Sequence, residues 1–301
     1  MHDPGFFARC RPLSPAPGLV RPLRGREAAV SAVARERVDV LLVERGIAPT
    51  REKAQAMVLA GRVRSGSERI EKPGRRIARD AGLEVAPARR WVGRGAEKLA
   101  PALVALRVDP SGRDALDVGA STGGFTQVLL CAGARRVIAL DVGRGQLDWS
   151  LRTDPRVAVL EGINARGLFP EDLPFRPSLA VVDVSFISLE LVLPAVAACC
   201  PGPDGEVVAL VKPQFEVGRG KVGRGGIVRD PARHAEVLAR IAAFASSRGL
   251  GVAGVVASAL RGAEGNVEFF VHVRPSAPGL GAADLERRIR EALEAAHGPL
   301  P

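Results

Sequence analysis

The run Asp117-Val118-Gly119-Ala120-Ser121-Thr122-Gly123-Gly124-Phe125-Thr126 constrains this chain more than any other stretch. It follows an apolar segment, Ala115 to Val118, and opens onto a helical pattern. Glycines in such a place let the backbone turn sharply and approach a ligand closely, while the first N–H groups of the helix are left without intrahelical partners. A nucleotide-like cofactor is therefore expected over the loop, held by Asp117, Gly119, Ser121, Thr122, Gly123, Gly124 and Phe125. The spacing is not the G-x-G-x-x-G of dinucleotide enzymes, which argues against a dehydrogenase. The same strand–turn–helix rhythm continues beyond Trp91. Strands are expected at Ala115 to Val118, Val137 to Asp141, Val157 to Glu161, Leu179 to Asp183, Val207 to Val211, Gly254 to Ala257 and Glu268 to Val273. Such alternation predicts an α/β fold of the Rossmann-like kind, a mostly parallel sheet with helices on both faces.

In open sheets of this kind ligands bind beyond the carboxyl ends of the strands. Asp141 closes the second expected strand, where a carboxylate can accept hydrogen bonds from ribose hydroxyls; the plainer reading is a helix-capping Asp. Asn164, just past the third strand, is a candidate for the adenine edge, although Asn is ordinary in turns. Asp183 ends the fourth strand, and Lys212 follows the fifth, so both face the same crevice. A lysine at the end of a buried strand calls for an explanation, because an unpaired buried ammonium is costly.

Charge divides the chain. Residues 1–90 hold 19 Lys and Arg against 10 Asp and Glu, while the remainder holds 24 against 23. The positive field belongs to the first third, as expected of a segment that meets a phosphate backbone. Residues 1–34, rich in Pro, Arg and Gly without periodicity, predict a disordered basic tail. Val38, Leu41, Leu42 and Val43 recur at helical spacing up to Gly46. A second helix is expected after Thr50 as its N-cap, with Ala54, Met57, Val58 and Leu59 inside. Short strands and turns follow to residue 86, a linker spans 87–92, the larger domain spans 93–275, and a C-terminal helix and tail occupy 276–301. Cys10, Cys131, Cys199 and Cys200 show neither metal-ligand nor disulfide spacing, so reduced thiols, a cytoplasmic location and no metal are expected. No stretch approaches the roughly 20 apolar residues of a membrane span.

Several runs together resemble one family. They are Arg94-Gly95-Ala96-Glu97-Lys98-Leu99, the glycine loop, Asp183-Val184-Ser185-Phe186, Lys212-Pro213-Gln214-Phe215-Glu216-Val217-Gly218-Arg219 and Gly265-Asn266-Val267-Glu268. In this order they are similar to the TlyA family, haemolysin-named ribosomal-RNA methyltransferases of the FtsJ-like class. In front, Val38 to Gly46 and Arg51-Glu52-Lys53-Ala54 resemble the small α+β RNA-binding domain of the S-four ribosomal protein type. The resemblance implies S-adenosylmethionine as cofactor, ribosomal RNA or ribosomal subunits as partner, and a catalytic tetrad on Lys98, Asp183, Lys212 and Glu268. It also implies a cytidine ribose 2′-hydroxyl as acceptor. RNA contacts are expected from Arg37, Arg45, Arg51, Lys53, Arg62, Arg64, Arg89 and Arg90, on a monomeric protein. Ile163, where the family tends to Thr or Val, and Ala259, where Pro is common, depart from the pattern at flanking positions.

The chemistry is consistent with that implication. A ribose hydroxyl is a poor nucleophile, and it must shed its proton while it attacks the methyl in line. Lys212 is the expected base, on the argument that burial and a second nearby cation lower its proton affinity from the usual pKa of about 10.4. Asp183 would position the amine, with Lys98 and Glu268 holding the ribose. Pseudouridine synthases share the front module but need an Arg-Leu-Asp segment that is missing here. A non-enzymatic assembly factor would typically have lost a tetrad residue or the glycine loop. A pore-forming haemolysin would need an apolar span or an amphipathic hairpin.

Overall fold

In the computed structural model, residues 34–86, 91–218, 222–262 and 264–298 are described. They fall into two compact units, 34–86 and 91–298. The expected tail, most of the linker, Arg89, Arg90 and Arg219 lie outside the described residues.

The first unit comprises β1 (Arg35–Arg37), α1 (Val38–Glu44), α2 (Arg51–Leu59), β2 (Val63–Ser65), β3 (Glu68–Arg69), β4 (Arg76–Ala78) and β5 (Glu84–Val85). β1 pairs with β4, and β2 with β3 and β5, all antiparallel. Both expected helices are present. Gly46 sits beyond α1 at φ +68°, a conformation open to glycine. Thr50 caps α2 by accepting the Lys53 N–H at 3.3 Å. Val38, Leu41, Leu42, Ala54, Val58, Val63, Ile70 and Ile77 close a small core.

The second unit comprises α3 (Gly95–Leu106), β6 (Asp114–Val118), α4 (Gly124–Cys131), β7 (Arg136–Asp141), α5 (Trp149–Arg152), β8 (Val157–Glu161), β9 (Leu179–Val182), α6 (Leu193–Cys199), β10 (Glu206–Val211), α7 (Pro213–Glu216), α8 (Pro231–Ser247), β11 (Gly251–Ala257), β12 (Phe269–Arg274) and α9 (Ala282–His297). Its seven strands lie in the order β11-β12-β10-β9-β6-β7-β8. β10, β9, β6, β7 and β8 are parallel neighbours, and β12 runs antiparallel to both β10 and β11. Strands buried on both faces need near-continuous apolar sequence, which Leu179-Ala180-Val181-Val182 and Val207-Val208-Ala209-Leu210-Val211 supply. One face is covered by α6, α8 and α9, the other by α3 and α4.

All seven expected strands are found. β11 begins at Gly251 rather than Gly254; its register shifts between Val252 and Gly254, and the bulge breaks the alternation that marks a strand. α3 is not among the expected elements, because Pro101 in its interior reads as a breaker. The C-terminal helix, assigned outside the larger domain by sequence, is part of it: Ile289, Ala292 and Leu293 are buried in the core beneath β11 and α8. Trp91 and Val92, expected in the linker, pack on that unit's other core, and the Val92 N–H donates to Gln127 Oε1 at 2.7 Å.

Candidate active site

The strand order explains why residues far apart in sequence meet. The chain moves outward from β6 through β7 and β8, then returns to place β9 on the other side of β6. That reversal opens a crevice at the carboxyl ends of β6 and β9. Asp183 follows β9 there. Lys212 follows β10, and Val211 of β10 is paired with Phe269 of β12. One step further along that antiparallel ladder, Lys212 and Glu268 emerge side by side. Lys98 comes from α3, one turn after Gly95, and an added Cβ on Gly95 would lie 3.9 Å from Asp183 Oδ2. The four tetrad positions are thus brought to one place.

They form two ion pairs. Lys98 Nζ lies 2.6 Å from Glu268 Oε2, and Lys212 Nζ lies 2.6 Å from Asp183 Oδ1. Lys212 also donates to Ser185 Oγ at 2.8 Å. Glu268 is 2% exposed and Lys212 9%, so both pairs lie largely out of water. The charge set against Lys212 is the Asp183 carboxylate rather than the second cation that sequence reasoning placed beside it.

Packing inside the protein accounts for most of the glycine loop. Gly119, at φ +86°, lies where an added Cβ would come within 2.4 Å of the Asp183 carbonyl oxygen. Gly123, at φ +94°, would drive a Cβ to 2.3 Å from Leu151 Cδ1, and one on Gly124 would reach 3.0 Å from the Ala96 nitrogen. Close approach is required, but at Gly123 and Gly124 it is approach of the chain to itself. Phe125 corrects the expectation further: its ring is buried 6.1 Å from the Phe270 ring, in the core beneath the loop, because it fills the space that Gly95 leaves open. Thr122 is exposed, with its hydroxyl against Gly93, and does not line the cleft.

The cleft itself, of about 780 Å³, is lined by Gly119, Ser121, Asp141, Asn164 and Asp183 among the expected residues. Asp141 accepts the N–H groups of Ser121 and Gly143, each at 2.7 Å, which fixes its carboxylate while leaving lone pairs for another donor. Asn164 accepts the Arg166 N–H at 3.1 Å, so it shapes the turn as well as the cleft wall. Asp117 does not reach the cleft. Fully buried under the loop, it accepts the Thr126 hydroxyl at 2.7 Å. Burial pushes its carboxyl up to about 7; Asp183 and Asp141 add to the rise and Thr126 opposes it.

Val142, Phe186 and Leu191 are exposed apolar residues on the cleft wall that sequence reasoning missed. Phe186 is 88% exposed at φ +63°, with its ring 4.9 Å from that of Phe215. Nothing in sequence announces a bulky residue in the left-handed region. The segment carrying Ser185 and Phe186 is fastened by Glu216, whose buried carboxylate accepts the Ser188 hydroxyl at 2.7 Å and the Leu189 N–H at 2.8 Å. Asn266 is likewise a buried staple, accepting the Val228 N–H and donating to the Gly226 carbonyl, both at 3.0 Å.

In the first unit the expected RNA-binding cations have structural partners. Asp39, 0% exposed, accepts from Arg37 at 3.0 and 2.9 Å, from Arg51 at 3.1 Å and from Gln55 at 3.0 Å. Arg45 donates to the Ala81 and Arg79 carbonyls, Arg62 to the Ala86 carbonyl and Arg64 to the Ser67 carbonyl. A guanidinium has five N–H donors, so each retains donors for a phosphate. Lys53 is exposed.

Comparison with known proteins agrees with this division. The FtsJ-like methyltransferase family matches residues 91–274, and the S4 domain family matches residues 36–82. The 16S/23S rRNA (cytidine-2'-O)-methyltransferase TlyA of Mycobacterium tuberculosis is 48% identical over 262 residues, covering 86% of this chain and 97% of that protein. Hemolysin A of Brachyspira hyodysenteriae is 36% identical, covering 78% and 98%. Among solved structures, a hemolysin-named protein from Streptococcus thermophilus superposes with a TM-score of 0.64 at 42% identity, covering 87% of this chain and 96% of that one. Among the described residues no helix is long and apolar enough to cross a membrane.

Proposed function

Because the chain belongs to the FtsJ-like methyltransferase family and carries an S4 domain, we propose that it transfers a methyl group from S-adenosylmethionine to the 2′-hydroxyl of a cytidine in ribosomal RNA. The observation that carries this reading is the sharing of Asp183: it lines the cofactor cleft and holds the amine of Lys212 at 2.6 Å. Cofactor and acceptor sites therefore meet at one side chain. The residues fit the cofactor, with Gly119, Ser121 and Asn164 lining the cleft beside Asp183 and the oriented Asp141 carboxylate placed for ribose hydroxyls. When bound, S-adenosylmethionine supplies an electrophilic methyl group on a cationic sulfur.

Lys212 first gives its extra proton to solvent and, as the neutral amine, takes the 2′-hydroxyl proton at Nζ; Asp183 then stabilises the ammonium that re-forms. Ser185 fixes the direction of that amine. The Lys98–Glu268 pair holds the ribose against it. The two pairs exclude water because they are buried, which strengthens their electrostatic effect. Phe186 and Leu191 offer apolar surface where a base would enter, and the S4 domain adds phosphate contacts that tolerate sequence. All four catalytic residues come from one chain, so a monomer suffices. It acts in the cytoplasm, on ribosomal subunits.

Incubation of ribosomal subunits with the protein and methyl-labelled S-adenosylmethionine, followed by mapping of the modified nucleotides, tests the proposal. Label on a cytidine ribose is expected; label on a base, or none on either subunit, rejects it.

A further inference from the structure

Asp117 has surroundings that its fold position alone does not explain. It sits on β6, one residue from the cleft wall at Val118 and Gly119, with no exposed surface. Oδ2 accepts the neutral Thr126 hydroxyl from α4 and the Thr126 backbone N–H also favours the ionised form, while Oδ1 is buried with no hydrogen-bond partner. The charged groups that bear on it are carboxylates, Asp183 after β9 and Asp141 at the end of β7. The lysines of the site are engaged elsewhere, Lys212 with Asp183 and Lys98 with Glu268. A carboxylate buried without a cation or a full set of donors is costly, and such a group takes up a proton instead. A cation entering the cleft reverses the balance, because attraction across a poorly solvated interior is strong.

We propose that Asp117 holds a proton in the cofactor-free protein and releases it to solvent when a sulfonium-bearing cofactor enters the cleft. The protein thereby distinguishes S-adenosylmethionine by charge from its product, whose sulfur is neutral. The inference rests on the reading that the cleft takes S-adenosylmethionine. Only the O–H bond of Asp117 breaks, and the proton goes to water. After methyl transfer the sulfur loses its charge, the proton returns and the product is left without its electrostatic partner. Linkage then requires the affinity for S-adenosylmethionine relative to S-adenosylhomocysteine to rise with pH through neutrality. The rise is about tenfold for each unit by which the cofactor lowers the proton affinity of Asp117.

Titration calorimetry of the full chain at pH 7, in two buffers of different protonation enthalpy, counts the protons released by each ligand. With the free carboxyl at about 7, a one-unit fall gives release of about 0.4 proton with S-adenosylmethionine. Less is expected with S-adenosylhomocysteine, and the difference should vanish in Asp117→Asn, which resembles the protonated acid. Equal release by the two ligands, or an unchanged difference in the variant, overturns the inference while leaving the cofactor reading in place. Binding of neither ligand rejects the cofactor reading and the inference with it. Should Asp117→Asn fail to fold, difference infrared spectroscopy of the unaltered protein decides. A carboxylic-acid band at pH 6 should fall on adding S-adenosylmethionine and not its product, and its absence overturns the inference.

Discussion

At the amino edge of the seven-stranded sheet, Asp114 on β6 accepts from both Arg135 and Arg136, and Glu206 on β10 is held by Arg113 and His272. At the carboxyl edge, three residues along the same β6, Asp117 has only the hydroxyl and backbone N–H of Thr126 set against two neighbouring carboxylates. The consequences are opposite. Hydrogen bonds from Arg135, then from Arg136, bring the Asp114 carboxyl down to about 2. Burial pushes Glu206 up, but His272 and Arg113 outweigh it and leave the group at about 2. Asp117 rises to about 7. One edge neutralises each acid as it is placed, which is what stability favours. The other gathers acids with too few cations, an arrangement more often found where a ligand completes the balance.

The contrast can be broken most severely at Lys212. Lys212→Met keeps length and removes the amine, so turnover on ribosomal RNA at saturating cofactor should fall by roughly 10² or more while cofactor binding persists. Lys212→Arg should not restore it, since guanidinium does not give up its proton. Single-turnover rates on variants of confirmed fold decide the matter; substantial activity in the Arg variant would reduce the role of Lys212 to supplying charge.

Next comes Asp117→Asn, measured without ligand. A carboxyl whose folded pKa exceeds its unfolded value of 3.8 costs stability above that value, increasingly up to pH 7. The Asn variant should therefore melt higher than the unaltered protein above pH 7, by on the order of 5 °C, with the gap closing toward pH 4. Asp114→Asn should do the reverse. Its carboxyl is held below the unfolded value, so its contribution is present above pH 4 and lost as pH falls toward 2. A loss of about 2–4 °C at pH 7, shrinking in acid, is expected in thermal melts. Matching pH dependences for the two variants would erase the distinction between the edges.

The smallest effect concerns RNA. Arg136 is committed to Asp114 at the amino edge, whereas Lys53 is exposed in the S4 domain. Lys53→Ala should flatten the dependence of log affinity on log salt by about 0.7–0.9, the share of one phosphate contact. Arg136→Ala should leave that slope unchanged in filter binding across salt concentrations. A flatter slope for Arg136→Ala would make the amino edge an RNA contact as well.

Where one residue type does one job, the sequence was readable. Apolar runs marked all seven strands, and Thr50 marked a helix start, where it does accept the Lys53 N–H at 3.3 Å. Lys212 and Asp183 were legible because charged residues at the ends of buried strands need a reason. Dual roles were not legible. Arg37 and Arg51 look like plain RNA-binding cations, yet they also neutralise the buried Asp39, a partner 12 residues before Arg51 and set by tertiary packing. Phe125 looks like part of the ligand loop, but its place is decided by Gly95 and Phe270, elements distant in sequence. Phe186 carries no local sign of its left-handed backbone, which the surrounding loop and its Glu216 staple impose.

The antiparallel pairing of β12 with β10 has a bearing on biogenesis. Lys98, Asp183 and Lys212 leave the synthesising machinery in order, but Glu268 reaches Lys98 only after β12 has inserted between β10 and β11. Domains fold as their sequence emerges, at about 5–20 residues per second. For the interval needed to make the stretch from Lys212 to the end of β12 at Arg274, about a fifth of the chain, the nascent protein holds three of the four residues proposed for catalysis and lacks the fourth. On the proposed mechanism, activity therefore begins abruptly, with the placing of a single late strand.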